Sequence, residues 1–433
     1  MNSFIERIID GKWYIPLIIL IAPLLYLHIG LPPIVAAGDG IVYDLYAQNI
    51  LAGHVYSTDG VNFSDEREPG YPTFLALLYT LSGGRNLQFV YDMQLLMAGL
   101  IGVLIYFLIR NLGHPYLGAL AGLFTALLPS YALAADDIGP DILFMVLVMS
   151  LFLIGKRIIE RKGEGAHLFL WFGVLAGTAT LTRAQLIFFV PFLLVLYILL
   201  LRPSWKAFFV NGGMALAASL LIICSWMFQV YLHEGVFTIT QNRPERALYI
   251  RARRSELSYA QLTYYGYEVL KQSFTNGNAD DFFWQYDAHY LDDVEYYHLA
   301  TSTAAKAALQ QWINATILHN PGHYLYGNLI ELMKLNFIEH DFSDTINRYL
   351  RAAVYLVLYA SFLFGLYQLF KKGSGKIRQV MLLALLFIVY NWLVLTPFDT
   401  IPRYNIPYLQ FYVLIGGSGI ALWLERRKGT KKQ

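Results

Sequence analysis

Long apolar runs separated by polar connections make up most of the 433-residue chain. A run of about 18 or more apolar residues can cross a hydrocarbon core about 30 Å thick as a helix, because a helix satisfies its own backbone hydrogen bonds. The pattern predicts an all-α polytopic membrane protein with about ten transmembrane helices. The predicted spans lie near 13–36, 86–110, 115–135, 141–158, 165–182, 184–201, 207–232, 347–370, 378–396 and 404–424. The fifth and sixth meet at "LTRAQ", where a pair of broken helices is the alternative.

Lysine and arginine are distributed unevenly among the connections. Cytoplasmic loops of membrane proteins carry an excess of both. If the N-terminus lies inside, the inner segments hold nearly all cations of the short connections: Arg7, Lys12, Arg110, Lys156, Arg157, Arg161, Lys162, Arg202, Lys206, Lys371, Lys372, Lys376, Arg378 and the tail "ERRKGTKKQ". The short outer connections hold only Arg183 and Arg403. The bias predicts cytoplasmic N- and C-termini. The bias does not account for Arg183 and Arg403, which lie on the predicted outer side.

The first outer connection, 37–85, contains two apolar stretches that are too short to span. The first predicts a helix over 41–52 with one apolar stripe, formed by Ile41, Val42, Leu45, Tyr46 and Ile50. The polar segment "STDGVNFSDEREPG" separates it from the second, "YPTFLALLYTLSGG". Both stretches predict helices that lie in the membrane interface.

The second long outer connection, 233–345, is soluble in composition and predicts a small, mainly helical outer domain. It contains an amphipathic helix in "TSTAAKAALQQWINATILH", with Thr301 or Ser302 as the N-cap and "NPG" after its end. The aromatic and acidic tract "DDFFWQYDAHYLDDVEYY" is interpreted as part of a helical cap, with stacking on sugar rings as the alternative. The predicted organisation is an N-terminal transmembrane module, 1–232, this outer domain, 233–345, and a C-terminal transmembrane module with its basic tail, 346–433.

Composition supports the membrane assignment. Charged residues make up 14% of the chain and hydrophobic residues 57%, whereas a soluble protein carries roughly 25% charged residues. The one cysteine, Cys224, lies in an apolar run and is interpreted as a buried apolar residue. The first apolar run has no small-residue cleavage site after it, so it predicts a retained span. The net charge of +2 gives no indication of nucleic-acid binding.

Unusual polar residues concentrate on the predicted outer face. They are Asp39, Asp44, Glu68, Asp136, Asp137, Asp141, Arg183, Asp399, Arg403 and Tyr404. Ionisable groups at membrane depth are costly and usually belong to a functional site. Each also has a simpler interpretation: Asp39 and Asp141 as helix N-caps, and the two arginines as side chains that reach the interface. Their shared placement favours the site.

The residue types indicate a particular chemistry. An anionic leaving group such as phosphate is matched by the fork-shaped donors of arginine. A hydroxyl acceptor needs a carboxylate as general base. A lipid-linked donor is met at the interface, where the predicted amphipathic helices lie. The set predicts glycosyl transfer from a polyprenyl-phosphate sugar.

The chain resembles the GT-C integral-membrane glycosyltransferases of the dolichyl-phosphate-mannose protein mannosyltransferase type, and more closely their bacterial relatives, which include the aminoarabinose transferase that modifies lipid A. The resemblance covers nearly the whole chain and rests on the order and spacing of loose motifs. These are "DGIVYDLYAQNILAG", "REPGYPTFLALLYTLSGG" followed by Gln94, "LLPSYALAADDIGPDILF", "GTATLTRAQ" and "RYNIPYLQFY".

The resemblance implies roles for individual residues. The acidic position of the first loop falls on Asp39 rather than Asp44, because Tyr43, Ala47, Asn49 and Gly53 follow it at the family's spacing. In the family this residue activates the acceptor. The acidic residue that opens the fourth span falls on Asp141. The arginine of "LTR" falls on Arg183, and the pair before the last span on Arg403 and Tyr404; the resemblance implies that these arginines hold the lipid phosphate.

Three further residues of the first loop are candidates for substrate or metal contact: Tyr43, Arg67 and Glu68. Some relatives have a lysine beside the loop carboxylate, whereas here the nearest cation to Glu68 is Arg67. Some relatives bind a divalent metal through the loop glutamate and a histidine. Glu68 with His289, His298 or His323 is the candidate set here, although no metal-ligand spacing is present.

Two classes of function follow. The leading hypothesis is an inverting glycosyltransferase on the outer face of the cytoplasmic membrane, with a polyprenyl-phosphate sugar as donor and a lipid-, glycan- or protein-linked hydroxyl as acceptor. Membrane lipids are partners and nucleic acid is not. The alternatives are a glycan ligase or polymerase that uses polyprenyl-diphosphate-linked sugars, and a non-catalytic flippase or transporter. A transporter would place polar groups near the midplane in inverted repeats, and the sequence shows no repeat.

Overall fold

The computed structural model describes residues 13–28, 36, 38–240, 243–272, 303–337, 345–371, 375–398 and 402–430. Within these ranges the regular elements are helices, which confirms the predicted all-α fold class. The helices are α1 (Tyr14–Ile21), α2 (Asp39–Ala52), α3 (Gly70–Leu81), α4 (Leu87–Arg110), α5 (Pro115–Ala126), α6 (Pro129–Asp136), α7 (Asp141–Glu160), α8 (Ala166–Thr182), α9 (Phe189–Leu201), α10 (Gly213–Glu234), α11 (Arg243–Ser255), α12 (Tyr259–Gln272), α13 (Thr303–His319), α14 (Pro321–Phe337), α15 (Thr345–Phe370), α16 (Gly375–Leu395) and α17 (Leu409–Thr430).

The membrane-spanning helices agree with the apolar pattern. Among the described residues, six helical segments are long and apolar enough to cross a membrane, and α5 with α6 forms a bent pair that makes a seventh. Three shorter apolar helices, Tyr14–Leu25, Ala166–Thr182 and Ala184–Ile198, occupy the other predicted spans. The chain is a multi-pass membrane protein. The number ten stays a prediction, because these three helices are too short to meet the length of a span on their own.

The span predicted over 115–135 is not one helix. It is bent by 40° between Ala126 and Pro129. Proline lacks a backbone N–H and disfavours the helical conformation in the residue before it. Leu128 accordingly has extended backbone angles, φ −62° and ψ 126°. The sequence contains the signal for this break in "LLPS", and the break directs α6 toward the loop that carries Asp137.

The chain divides into two compact units. Unit 1 comprises Met1–Ile239, Leu356–Ile388 and Ile406–Gln433, and unit 2 comprises Thr240–Tyr355 and Val389–Asn405. In unit 1 the transmembrane helices approach closely at small residues: a Cβ on Gly102 of α4 would lie 2.5 Å from the carbonyl oxygen of Gly122 in α5. Small residues permit such approach where lipid provides no hydrophobic force between helices.

Helix α2 begins two residues earlier than predicted and lies differently. Asp39 is its first residue, and the N-cap is Gly38, whose φ of 52° suits a residue without a Cβ. The predicted single apolar stripe was wrong: Tyr46 is fully buried, whereas Ile41 and Leu45 are 48% and 37% exposed. Helix α2 is apolar on both faces, so one face packs on unit 1 and the other is available to lipid.

The connection from α2 to α3 is held by aromatic rings. The rings of Tyr46 and Tyr56 lie 4.4 Å apart, and Tyr56 meets Trp226 of α10 edge-on at 4.9 Å. The Tyr56 hydroxyl donates to the Arg67 carbonyl oxygen at 3.0 Å. Burial raises the pKa of Tyr56 well above its ordinary value, so the hydroxyl stays a donor at neutral pH. This bond places the backbone of Arg67.

Among the described residues of the second long connection, four helices, α11 to α14, belong to unit 2. The amphipathic helix is confirmed as α13, Thr303–His319, and its predicted N-caps Thr301 and Ser302 lie outside the described residues, as do His289, His298 and the tract 280–297. Helices α11 and α14 are joined by buried charges. The Arg254 guanidinium donates to Glu331 at 2.6 Å and that of Arg251 to Asn328 at 2.6 Å. Buried charges need such partners.

Candidate functional site

Asp39 opens α2 at one end of unit 1 and is held by an arginine from the next loop. Arg67 Nη2 lies 2.6 Å from Asp39 Oδ1. The Arg67 side chain is 7% exposed, whereas the Asp39 side chain is 55% exposed. The alternative interpretation of Asp39 as the N-cap was wrong, because Gly38 occupies that position and Asp39 is the first helical residue. A carboxylate in the first turn faces the positive end of the helix dipole and remains open to a substrate.

Tyr43 lies one turn after Asp39 on the same helix. It is 4% exposed and meets the Tyr71 ring edge-on at 5.2 Å. The Arg67 guanidinium carbon lies 5.6 Å from the centre of the Tyr43 ring, which is the range of a cation–π contact. In this structure Tyr43 therefore supports Arg67. Its predicted substrate contact stays a prediction.

Glu68 is buried and joins the first loop to the end of α8. Its Oε1 accepts a hydrogen bond of 3.3 Å from the backbone N–H of Ala184. Gly70 permits this approach: a Cβ there would lie 2.6 Å from Thr182 Oγ1 and 2.7 Å from the Leu181 carbonyl oxygen. The carboxylate of Glu68 thus sits beside the backbone of the predicted phosphate-binding arginine.

Asp141 and Arg183 form an ion pair between the start of α7 and the residue that ends α8. The Asp141 side chain is fully buried and that of Arg183 is 11% exposed. Pro140 occupies the N-cap position and Asp141 is the first residue of α7, so the N-cap interpretation was wrong here also. Arg183 has extended backbone, φ −148° and ψ 118°. Because Arg183 leaves the helical conformation, its side chain reaches Asp141 at the start of α7.

Arg403 and Tyr404 lie in a 3₁₀ segment, Pro402–Tyr408, and belong to unit 2. The following residue, Asn405, is buried and donates to Asn336 Oδ1 at 3.3 Å, and it accepts from Asn391 Nδ2 at 3.4 Å. These bonds attach the segment to α14 and α16 inside unit 2. The phosphate-binding role of the pair stays a prediction.

Asp44 has a different environment from Asp39. The Tyr79 hydroxyl donates to Asp44 Oδ1 at 2.6 Å, and Arg85 Nη2 lies 2.8 Å from Asp44 Oδ2. The Asp44 side chain is 7% exposed. Sequence reasoning missed both partners. The only sequence signal was a cation, Arg85, at the end of the first outer connection.

The structure does not add to the candidate metal ligands that the sequence left open. Among the described residues, no group of three or more His, Cys, Asp or Glu side chains is arranged to hold a metal ion. His323, the one described histidine of the candidate set, contacts the Tyr259 ring at 4.1 Å in unit 2. The binding of a divalent metal stays the open alternative that the sequence left.

The described geometry brings six predicted residues to one end of unit 1: Asp39, Tyr43, Arg67, Glu68, Asp141 and Arg183. One carboxylate is exposed and supported by a cation, and a second is buried and supports an arginine. The first suits proton removal from an acceptor, and the second keeps a cationic donor oriented toward an anion.

Three solved structures match the chain at low sequence identity. The archaeal oligosaccharyltransferase AglB from Archaeoglobus fulgidus, in complex with an inhibitory peptide and a dolichol-phosphate, is 12% identical with a TM-score of 0.49. The match covers 96% of this chain and 51% of AglB, so the chain spans about half the length of that protein. ArnT from Cupriavidus metallidurans matches bound to undecaprenyl phosphate, at 14% identity, TM-score 0.38 and coverage of 97% and 78%. The apo form of ArnT from Cupriavidus metallidurans matches at 15% identity with a TM-score of 0.37, and the match covers 98% of this chain and 78% of ArnT.

The sequence comparison is more specific. No curated protein matches the chain. The family model described as dolichyl-phosphate-mannose-protein mannosyltransferase matches residues 66–228, a segment that includes Arg67, Glu68, Asp141 and Arg183. This match confirms the predicted resemblance: the chain is similar to the GT-C membrane glycosyltransferases of the dolichyl-phosphate-mannose protein mannosyltransferase type.

Proposed function

We propose that the protein is an inverting glycosyltransferase that moves a sugar from a polyprenyl-phosphate donor to a hydroxyl acceptor. The observation that carries this proposal is the family match over 66–228, together with the clustering of its acidic and arginine residues beside the exposed Asp39. The donor class comes from the family's name and from the site, which offers arginine to a phosphate and a carboxylate to a hydroxyl.

In the proposed reaction Asp39 removes the proton of the acceptor hydroxyl. The acceptor oxygen attacks the anomeric carbon in line, the bond from that carbon to the phosphate oxygen breaks, and the polyprenyl phosphate leaves with the bonding electrons. The bond from Arg67 holds the Asp39 carboxylate in one orientation. One carboxylate and one displacement give inversion at the anomeric carbon.

Arg183 stabilises the charge that develops on the departing phosphate. Asp141 is a positioning residue, because its fully buried carboxylate contacts the Arg183 guanidinium rather than solvent. A phosphate whose charge is neutralised is a good leaving group, so no general acid is needed. Arg403 and Tyr404 of unit 2 keep the phosphate-binding role that the family resemblance implies.

The proposed location is the cytoplasmic membrane, with both termini inside and the site on the outer face. Support comes from the cation bias of the connections and from the position of the cluster. The start of α7 and the end of α8 lie at one end of these helices, whereas "KRIIERKGEG" joins them at the other. The cluster and the basic connection therefore lie at opposite ends of α7 and α8, which supports the proposed location of the site on the outer face.

The decisive experiment presents purified, reconstituted protein with a panel of polyprenyl-phosphate sugars and the matching polyprenyl-diphosphate sugars, and follows loss of each lipid donor. Consumption of a monophosphate donor, with release of polyprenyl phosphate, is expected. Consumption of the diphosphate donors alone would support a ligase or polymerase instead. Movement of intact donor across the bilayer without consumption would identify a flippase.

A further inference from the structure

A single buried glutamine joins the segments that carry the candidate site. Gln94 lies in α4 and is fully buried. Its side-chain Nε2 donates to the Ala135 carbonyl oxygen at 2.7 Å and to that of Asp137 at 3.2 Å. Its Oε1 accepts from the Tyr71 hydroxyl at 3.1 Å. The amide therefore uses both donors and its acceptor in one buried network.

Each of these partners leads directly to a proposed site residue. Tyr71 is in the first turn of α3, immediately after the loop that carries Arg67 and Glu68. Ala135 and Asp137 lie at the end of α6, six and four residues before Asp141. The amide thus connects the first acidic loop to the loop before α7, although neither loop is close to Gln94 in sequence.

The same loop also contacts the start of α2. A Cβ built on Gly40 would lie 3.2 Å from the Ile138 Cβ, so the first turn of α2 lies directly against Ile138. Ile138 follows Asp137, whose carbonyl oxygen Gln94 holds. Displacement of this loop would consequently shift Asp39 as well as Asp141.

We infer that Gln94 is a positioning residue that sets the geometry between Asp39, Glu68 and the Asp141–Arg183 pair. The inference rests on the proposed function for its effect on catalysis. No other side chain of similar size supplies two donors and one acceptor: glutamate would direct negative charge at two carbonyl oxygens, and methionine would fill the space without hydrogen bonds. Gln94→Met would also remove a hydrogen-bond partner from the buried carbonyl oxygens of Ala135 and Asp137 and from the Tyr71 hydroxyl, which adds to the cost of that change.

Asn211 is a matched control. It is a buried amide whose Nδ2 donates to the Gly163 carbonyl oxygen at 3.1 Å and contacts the Tyr197 hydroxyl at 3.4 Å. Gly163 follows the end of α7, whereas Asp141 begins that helix. Asn211 is therefore a buried amide that makes hydrogen bonds between separate segments, as Gln94 does, but near the opposite end of α7 from the candidate site.

The test compares Gln94→Met with Asn211→Leu in the full-length, reconstituted protein. Both changes replace the amide with an unbranched or γ-branched apolar side chain of comparable length and remove its hydrogen bonds. Gln94→Met is expected to lower kcat/KM for the lipid donor by about 10²-fold, since a misplacement of about 1 Å can cost that much. Asn211→Leu is expected to keep turnover close to wild type even where its melting temperature falls by the same amount. Tyr71→Phe removes one of the three bonds and should have a smaller effect that is not additive with Gln94→Met.

A second readout does not depend on activity. Amide hydrogen exchange should accelerate in 129–141 and 67–73 of Gln94→Met and remain at the wild-type rate there in Asn211→Leu. If wild-type protein consumes no donor, the proposed function fails and the exchange pattern alone decides the role of Gln94. Unchanged exchange in both segments, or wild-type turnover by Gln94→Met, would overturn the inference.

Discussion

Helix α2 carries two aspartates, Asp39 and Asp44, whose ion pairs differ in which partner is buried. Asp39 meets a buried arginine but leaves 55% of its own side chain exposed. Asp44, five residues later, is enclosed by Tyr79 and by Arg85, whose side chain is itself 46% exposed. At Asp39 the cation is buried and the acid is open, whereas at Asp44 the acid is buried and the cation is open.

The difference separates two uses of an ion pair. A buried acid with all its partners in the protein stabilises the fold and has no free oxygen for a substrate. An exposed acid beside a buried cation contributes little to stability, but its orientation is maintained and its free oxygen is accessible. This difference in exposure supports the proposal that Asp39, rather than Asp44, is the general base, which is also the choice that the family spacing implies.

The largest expected effect is on Asp39. Asp39→Asn keeps the size of the side chain and removes the base, so transfer should fall by about 10²–10⁴-fold. Expression, insertion and melting temperature should stay near wild type because the side chain is largely exposed. The measurement is loss of the lipid donor by purified protein. Normal transfer by this variant would remove Asp39 from the mechanism.

Asp44→Asn should act on stability instead. The change leaves Arg85 without its charge partner and weakens the bond from Tyr79, so the free energy of unfolding should fall by about 1–3 kcal/mol. A thermal-unfolding series in detergent measures it. Activity per folded molecule should be unchanged. If Asp44→Asn instead removes activity while the protein remains as stable as wild type, the two carboxylates have exchanged roles.

Arg67→Lys tests the support of Asp39. Lysine keeps the charge but cannot hold Asp39 with a fixed fork, so a loss of turnover on the order of tenfold is expected from looser placement of the base. The turnover of Arg85→Lys provides the comparison, because that arginine holds the structural carboxylate and should leave turnover unchanged. If Arg67→Lys and Arg85→Lys lose turnover equally, the Asp39–Arg67 pair has no special role in catalysis compared with the Asp44–Arg85 pair.

The smallest expected effect concerns Tyr79 at alkaline pH. Burial, and then its bond to Asp44, raise the pKa of Tyr79 above its ordinary value. Stability from the protonated hydroxyl is therefore present below about pH 10, the unfolded value, and is lost as the pH rises above it. Tyr79→Phe should cost about 0.5–1.5 kcal/mol at neutral pH and should flatten the alkaline loss of melting temperature. Tyr116→Phe, at a site that is 72% exposed, should leave that profile as in wild type.

Much of the fold was predictable because hydropathy is a local property. The span predicted over 86–110 is observed as Leu87–Arg110, and its start has a local cause, since the Asn86 side chain caps the helix by accepting from the Phe89 N–H. The break in the span at 115–135 was also encoded locally, by Pro129. The face of α2 that is buried was not predictable, because both of its faces are apolar and packing selects one of them.

The sequence predicted which residues belong to the candidate site, but not which of them form hydrogen bonds or ion pairs with one another. The residue types, the order of the motifs and the outer placement indicated Asp39, Glu68, Asp141 and Arg183. Their partners depend on contacts across 28 residues for Asp39 and Arg67, 42 for Asp141 and Arg183, and 116 for Glu68 and Ala184. Periodicity within a helix carries no information about such distant partners.

The sequence by itself determined that the chain is a helical membrane protein, because apolar length and cation bias are set by the solvent around each segment, and its motifs resemble those of one glycosyltransferase family. Tertiary structure alone decided which acid is open and which is enclosed, and that Gln94 links the site loops. The physical reason is that burial and hydrogen-bond partnership belong to the packed arrangement. Asp39 and Asp44 lie five residues apart on one helix, and the side chains that pack beside them, Arg67 at Asp39 and Tyr79 with Arg85 at Asp44, make their environments different.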